Sequence, residues 1–340
     1  MEIKTEEDLN KIDKDVEKIG IIDLKYKTFE KKLNSILFTK LEYLSLINTG
    51  ITSIKFLINN NYSSLIILEL IKNEIKSIKE ISEMPFKLLK VLDLSFNKIS
   101  SLEDIVKFPF KDLEILILSN NEIENIKPLN EFQLKKLKKL DLSNNNISSI
   151  NCLNKDYLKN LESLYLNNNL ITNIDIFGNG GFKKLKELEL NNNKIELIDI
   201  LEKSSFNDLE ELYLYNNNIK NIDVFSKINL IKLKILNLGK NQINDIQSLT
   251  KCNFINLKKL DLFDNQIENI DIFKEVPFKN IEEIDLSYNL IKSLNVFIDI
   301  KFDKLKVIKF HGNRYLNYSD INIKKLYELY NIKYLFEYKI

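Results

Sequence analysis

One short motif recurs at every twenty-fourth position along most of the chain. It is clearest around Asn241, where leucines stand eight, five and three positions before the asparagine and Ile243 follows two positions after it. Stepping by this interval reaches Thr49 in the first unit and an asparagine in every other unit: Asn73, Asn97, Asn121, Asn145, Asn169, Asn193, Asn217, Asn265, Asn289 and Asn313. Twelve such units fill most of the 340 residues, so we expect one elongated repeat domain instead of several globular ones.

The apolar residues divide each unit into a strand and a return path. The leucines five and three positions before the asparagine alternate with period two, which is typical of a strand buried on one face. Units so uniform can stack their strands only side by side, so we predict an α/β array with a parallel sheet of about 12 short strands. The return path, irregular or made of short helices, carries a large side chain thirteen positions after the asparagine, as in Phe86, Phe110 and Phe254. These residues are predicted to form a spine of stacked rings.

The recurring asparagine has a physical reason of its own. Where a strand turns out of a stacked sheet, its backbone N–H and C=O groups lose their partners. A side-chain amide both donates and accepts, so it can satisfy both kinds of group. We therefore predict a hydrogen-bonded ladder of asparagines, with Thr49 supplying part of the same bonding in the first unit.

We predict an N-terminal helical cap at 1–36, the repeat array at 37–313 and a C-terminal cap at 314–340. Apolar residues at helical spacing, from Leu9 to Ile19, predict a helix over 5–19, and residues 21–24 resemble a degraded strand. After the array, Ser319-Asp320 could begin a helix, and alternation from Ile332 to Ile340 predicts a strand. The helix would bury one apolar face, formed by Ile323, Leu326, Leu329 and Tyr330. A docking tail is the alternative role for 314–340.

The bulk composition limits the partners and the compartment. The net charge of +1 excludes the general attraction to nucleic acid or to an anionic membrane that a strongly basic protein shows. Cys152 and Cys252 lie four units apart, too far for a disulfide, and are predicted to be free thiols. Free thiols and a charged N-terminus without a secretory signal favour the cytoplasm, with the nucleus and the cell surface as alternatives.

The residues that usually carry catalysis are scarce in this chain. His311 is the one histidine in the sequence, and it is interpreted as a solvated surface residue because no second ligand or base lies near it in the chain. The two cysteines have no basic neighbour that the sequence can place beside them. We therefore predict no enzymatic activity, no metal site and no cofactor.

The consensus Leu-x-x-Leu-x-Leu-x-x-Asn-x-Ile-x-x-Ile-x-x-Leu resembles that of leucine-rich repeat proteins. Its Ile-x-x-Ile-x-x-Leu part is most similar to the subclass found in nuclear protein-phosphatase-1 regulatory subunits and in bacterial internalins. Units of that subclass are usually two residues shorter. The resemblance implies a right-handed, horseshoe-shaped solenoid with a concave parallel sheet, and a role in binding other proteins.

The residues that alternate with the buried leucines should point outward on the concave sheet. Six and four positions before the asparagines, nine acidic residues face three lysines: Glu69, Asp93, Asp141, Glu187, Glu189, Glu211, Asp261, Glu283 and Asp285 against Lys139, Lys259 and Lys309. This excess of negative charge predicts a basic partner and argues against nucleic acid on this face. The alternative is that the acids only keep an exposed sheet soluble.

Two clusters interrupt the acidic face. One is apolar and consists of Ile67, Val91, Ile115 and Ile117, with Ile71 and Phe96 at its rim. In the other, Tyr165, Tyr213 and Tyr215 flank Glu187, Glu189 and Glu211. Aromatic and aliphatic anchors ringed by polar groups concentrate affinity in protein interfaces, whereas the same residue types are also ordinary strand formers.

The sequence thus predicts a monomeric, non-catalytic scaffold that binds a basic protein or peptide on the acidic concave face, without binding nucleic acid or membrane. Two alternatives stay open. One is a regulatory or substrate-recognition subunit of an enzyme complex, such as a phosphatase or a ubiquitin ligase. The other is an internalin-like surface adhesin.

Overall fold

The computed structural model describes residues 1–58, 62–84, 86–132, 134–153, 156–300, 302–319 and 321–330. They belong to two compact units, residues 1–170 and residues 171–340, and each of these two units contains several of the 24-residue repeats. In each unit the strands follow one another in chain order and pair in parallel. Short helices lie on the return path between successive strands. This is the predicted architecture of a leucine-rich repeat solenoid.

The first unit contains more strands than the repeat count suggests. Its strands in the described residues are β1 Glu2–Ile3, β2 Lys18–Ile22, β3 Tyr43–Ile47, β4 Ile67–Glu69, β5 Val91–Asp93, β6 Ile115–Ile117, β7 Lys139–Asp141 and β8 Ser163–Tyr165. Its helices are α1 Glu6–Leu9, α2 Tyr26–Ser35 and the 3₁₀ helices Lys55–Leu57, Lys79–Glu83, Glu103–Lys107 and Lys127–Asn130. The strands β1 and β2 precede the twelve repeats and extend the sheet of this unit.

The second unit repeats the same alternation. Its strands in the described residues are β9 Glu187–Glu189, β10 Glu211–Tyr213, β11 Ile235–Asn237, β12 Lys259–Asp261, β13 Glu283–Asp285 and β14 Val307–Lys309. Its helices are α3 Val296–Asp299, α4 Ile321–Tyr330 and the 3₁₀ helices Asp175–Asn179, Asp199–Lys203, Asp223–Ser226, Gln247–Thr250 and Asp271–Lys274. The return path is therefore short-helical, as predicted.

The repeat interval sets the register of the strands. Glu211 pairs with Glu187 in the repeat before it and with Ile235 in the repeat after it, each at the equivalent position. Because register and repeat coincide, equivalent positions of neighbouring repeats lie side by side. The leucines five and three positions before the asparagine are fully buried in each unit, as Leu212 and Leu214 show.

The predicted asparagine ladder is confirmed, and Asn217 shows its geometry. The Asn217 Nδ2 group donates to the carbonyl of Leu190 in the preceding repeat at 3.0 Å and to that of Leu214 in its own repeat at 3.1 Å. The Asn217 Oδ1 atom accepts the N–H of Ile195 at 3.0 Å. One buried side chain thus ties two adjacent repeats together.

Thr49 occupies the ladder position of the first repeat, as expected. Its N–H and its hydroxyl both donate to Asn73 Oδ1, at 3.0 and 2.9 Å. The residue before each ladder position adopts a left-handed conformation, as at Asn48 with φ 53°. Asparagine tolerates this conformation better than most residues, which explains its frequency at that position too.

The predicted ring spine is continuous at the start of the first unit. Phe38, Tyr62, Phe86 and Phe110 follow one another with centroid distances of 5.7, 5.7 and 6.4 Å. In the second unit the spine residues also contact rings from the 3₁₀ helices, as in the pair Phe225–Phe254 at 5.5 Å. The back of the core is therefore built from two interleaved sets of rings there.

The predicted N-terminal helix over 5–19 is wrong in its extent. A capping box between Thr5 and Asp8 starts α1, which ends at Leu9. The Asp13 carboxylate then accepts the N–H of Asp15 at 2.8 Å, a local turn that competes with helix formation. Ile19 belongs to β2 and is fully buried. The strand expected over 21–24 is confirmed only at Ile21 and Ile22, where β2 ends.

The C-terminal helix is confirmed as α4, with Ile323 and Leu326 buried. Leu329 was expected on the buried face, but it is 51% exposed. Asp320 and the strand predicted from Ile332 to Ile340 lie outside the described residues.

The ladder ends on a tyrosine. The Tyr318 hydroxyl accepts the N–H of Asn313 at 2.9 Å and donates to the carbonyl of Phe310 at 3.2 Å. At two earlier ladder positions the corresponding N–H binds a carbonyl of the next repeat: Asn73 donates to Phe96 and Asn121 to Asn144. Tyr318 therefore supplies the bond that a further repeat would have supplied.

Replacing Asn217 with leucine should lower the free energy of unfolding by at least about 2 kcal/mol, because each buried polar group left without a partner costs about 1 to 3 kcal/mol. Asn218 is exposed, so its replacement with leucine should change that free energy by less than about 0.5 kcal/mol. Urea unfolding of both variants measures the difference. Equal losses would contradict the assigned role of the ladder.

Candidate functional site

The residues six, four and two positions before each ladder residue point away from the core, and we call this surface the strand face. Among them, Glu187, Glu211 and Ile235 are side by side in register, and all three are partly exposed. In the described residues the strand face is thus a regular grid of side chains. Neighbours along a row are one repeat apart in sequence. Along one diagonal, neighbouring side chains belong to residues 26 positions apart in sequence, which is one repeat plus two positions. Tyr43 and Glu69 are such a pair, and we call this relation the repeat diagonal.

Four acids of the strand face accept hydrogen bonds from backbone N–H groups. The Asp93 carboxylate accepts the N–H of Ser95, two residues further along the chain, at 2.8 Å. Three other aspartates each accept the N–H of the residue two positions after them: Asp141, Asp261 and Asp285. Burial raises the pKa of Asp93 and Asp261. Four of the nine predicted acids therefore shape the turn after the strand.

Two of the three lysines on the strand face form ion pairs with its acids. Lys309 lies 2.8 Å from Glu283 and 3.5 Å from Asp285, and Lys259 lies 3.4 Å from Glu283. The negative charge of these acids at this end of the second unit is therefore offset by lysines. The acidic excess of the unit lies elsewhere on the strand face.

That excess lies on β9 and β10. Glu187 and Glu189 are the register partners of Glu211 and Tyr213. The Tyr213 hydroxyl donates to Glu211 Oε2 at 2.6 Å. No lysine occupies the strand-face positions of β9, β10 or β11 in the sequence. The structure thus brings together four of the six predicted residues of the Tyr–Glu cluster.

The phenol of Tyr213 is held in its neutral form. Burial, the hydrogen bond to Glu211 and the charges of Glu187 and Glu189 raise its pKa well above the ordinary value of 10.0. The site therefore combines an aromatic ring with a negative local potential.

Tyr215 lies at the edge of the same cluster and is fixed from two sides. Its N–H donates to Asn191 Oδ1 at 2.7 Å. A Cβ atom added at Gly239 would lie 3.0 Å from Tyr215 Cδ2, so the missing side chain makes room for the ring. Gly239 has no positive φ, so this glycine relieves a close approach of side chains and is not needed for a left-handed turn.

Tyr165 belongs to the first unit and has a different neighbour. Lys139 Nζ lies over its ring, 4.5 Å from the ring centroid. The ring of Tyr165 thus holds a cation that the chain itself provides.

Residues of the apolar cluster lie on three neighbouring strands. Ile67, Val91 and Ile115 are register partners on β4, β5 and β6, and Ile117 lies beside Asp93. Phe96 is 54% exposed at a left-handed position, with φ 55°. The structure places these residues on one surface of the first unit.

The remaining candidates for chemistry have structural contacts. His311 is exposed; its Nδ1 lies 2.9 Å from Ser287 Oγ, and its ring packs on Tyr288 with the centroids 5.1 Å apart. Cys152 and Cys252 are free thiols, and burial raises the pKa of Cys252 to about 11. Neither thiol has the lowered pKa of a reactive nucleophile.

Metal ligands and membrane-spanning helices would each have a recognisable arrangement in the part of the chain that the structure describes. Within it, His, Cys, Asp and Glu side chains form no group of three that could hold a metal ion. None of the helices described has both the length and the apolar character needed to cross a bilayer.

Sequence reasoning missed three contributors to this surface. The aspartates four positions before the ladder residue carried a signal, because a short acid two residues before a turn is typical of a side-chain-to-backbone bond. Gly239 also carried one, since it interrupts a strand pattern without a turn motif. The pairing of Lys139 with Tyr165 could have been found only from the repeat diagonal.

Comparison with known families agrees with the fold. A sequence-family model described as "Leucine Rich repeats (2 copies)" matches residues 111–155, 159–203, 208–251 and 255–299. Together these matches cover more than half of the chain. A second leucine-rich repeat model matches residues 87–101. The protein belongs to the leucine-rich repeat family. No curated protein sequence matches it significantly.

Solved structures of the same fold come from several sources. An internalin of Listeria monocytogenes, InlF, superposes with a TM-score of 0.76 at 23% identity, over 96% of this chain and 87% of that one. A leucine-rich repeat protein of Leptospira interrogans reaches 0.56 at 21% identity, over 86% and 89%. PEPR1 in the PEPR1–AtPEP1 structure reaches 0.58 at 20% identity, over 83% and 42%. At these identities the likeness shows the fold alone.

Replacing Tyr213 with phenylalanine should make stability less sensitive to alkali. A pKa raised in the folded state means that the associated stability is complete below the unfolded value of about 10 and is lost as the pH rises above it. Phenylalanine has no ionisable hydroxyl, so the variant does not lose this stability at high pH. The other titrating groups are common to both proteins. Urea unfolding at about pH 9 and about pH 11 tests this, and equal pH dependence in the two proteins would contradict it.

Proposed function

We propose that the protein is a non-catalytic interaction scaffold and that β9 and β10 bind a positively charged partner protein or peptide. The observation that carries this proposal is the group Glu187, Glu189 and Glu211 beside Tyr213, on strands whose outward positions contain no lysine. Acids at the other end of this unit face Lys259 and Lys309.

The chemistry of the cluster favours a protein partner. Carboxylates grouped on a partly exposed surface attract a complementary positive patch and speed its association. Tyrosine side chains supply large contact areas and are enriched among residues that dominate binding energy. Negative charge also disfavours the phosphate backbone of nucleic acids.

The fold supports the same proposal. Leucine-rich repeat neighbours include InlF and PEPR1, the latter in a structure with AtPEP1. A repeat array holds its strand face with many hydrogen-bonded neighbours, so the side chains of the cluster are preorganised for binding. Tyr165 and the apolar cluster of the first unit remain predicted contributors.

Neutralising the cluster should weaken partner binding strongly. The variant Glu187→Gln, Glu189→Gln, Glu211→Gln keeps the shapes of the side chains and removes three negative charges. We expect partner capture from a native lysate, quantified by mass spectrometry, to fall roughly tenfold or more, because interfacial charge pairs couple strongly.

A matched control removes the same charge elsewhere in the unit. Glu196, Glu202 and Glu268 form exposed ion pairs with Lys220, Lys227 and Lys292 away from the strand face. Their triple replacement with glutamine should leave capture unchanged. If both variants retained the same partners as the native protein, the binding surface would not be this cluster.

A further inference from the structure

Two repeats of this chain carry the same tyrosine site with opposite charge beside it. Tyr165 and Tyr213 both stand four positions before their ladder asparagines, two repeats apart. The preceding residue on the repeat diagonal is Lys139 for Tyr165 and Glu187 for Tyr213. The chain therefore contains one version of the site with a lysine on the diagonal and one version with a glutamate there.

Residues related by the repeat diagonal are in contact in this fold. Lys139 Nζ lies 4.5 Å from the centroid of the Tyr165 ring. Along the same diagonal, Tyr43 donates to Glu69 at 2.7 Å, and Lys309 donates to Glu283 at 2.8 Å. Residues in this relation thus interact in three separate places.

We propose that the Tyr213 site binds the ammonium group of a lysine side chain from the partner, in the position that Lys139 takes over Tyr165. This rests on the proposed function and names the group that the cluster recognises. The charge of the surroundings fits, since Glu187, Glu189 and Glu211 lie around Tyr213, whereas the chain's own lysine fills the equivalent site.

The two kinds of group in the site act on the same cation. The face of an aromatic ring attracts a cation within about 6 Å of its centroid. A carboxylate adds a charge-assisted hydrogen bond to an ammonium donor. Glu211 accepts the Tyr213 hydroxyl, which keeps the ring in place.

The test uses a fluorescein-labelled peptide of lysine alternating with serine, and the same peptide with acetylated lysines. The native protein should bind the first peptide and bind the acetylated one at least about tenfold more weakly, because acetylation removes the charge. Equal binding of the two peptides, or no binding of either, would overturn the inference.

Placing a lysine beside Tyr213 gives the sharper measurement. Glu187→Lys should place the chain's own ammonium group over Tyr213 and weaken binding of the lysine peptide about tenfold or more. Unchanged affinity in this variant, once its fold is shown to be retained, would contradict the proposal.

Failure of this inference is distinguishable from failure of the proposed function. If the lysine peptide does not bind while the Glu187, Glu189 and Glu211 triple variant still loses the lysate partner, only the lysine assignment is wrong. If the lysate partner is captured equally by that triple variant, the proposed function is wrong. Circular dichroism and urea unfolding of each variant establish that the fold is retained.

Discussion

The side-chain amide of the ladder asparagine is the interaction on which the rest of the structure depends. At Asn217 it joins the carbonyl of Leu190 in one repeat to that of Leu214 in the next, and it also accepts the N–H of Ile195. Because the same bonds recur in successive repeats, neighbouring strands are held in one register. Sequence distance then determines which outward side chains are neighbours.

Because the side chains of the strand face form a grid, the role of each acid depends on its neighbours and not only on its presence in the sequence. Asp93 and the aspartates equivalent to it bond to the backbone, and Glu283 is compensated by two lysines. Glu187 and Glu211 lie on strands without outward lysines. A count of charges on the face treats these acids as equal, although their surroundings differ.

Much of the fold follows from periodicity alone. The interval between asparagines predicts the parallel register, the buried leucines such as Leu212, and the ladder itself, because each repeat has the same neighbours. The ends have no such neighbours. The Asp13 turn that follows the first helix and the Tyr318 hydroxyl that closes the ladder depend on local side-chain bonds. The cluster residues were found from the sequence, whereas the cation over Tyr165 required the diagonal geometry.

The most direct test of the binding surface is site-specific photo-crosslinking in a native lysate. A crosslinking amino acid at Ile235, which is the register partner of Glu211, should yield a covalent adduct with the partner. The same amino acid at Lys220, an exposed residue paired with Glu196, should yield none. Adducts at Lys220 without adducts at Ile235 would contradict the account and place the interface away from the strand face.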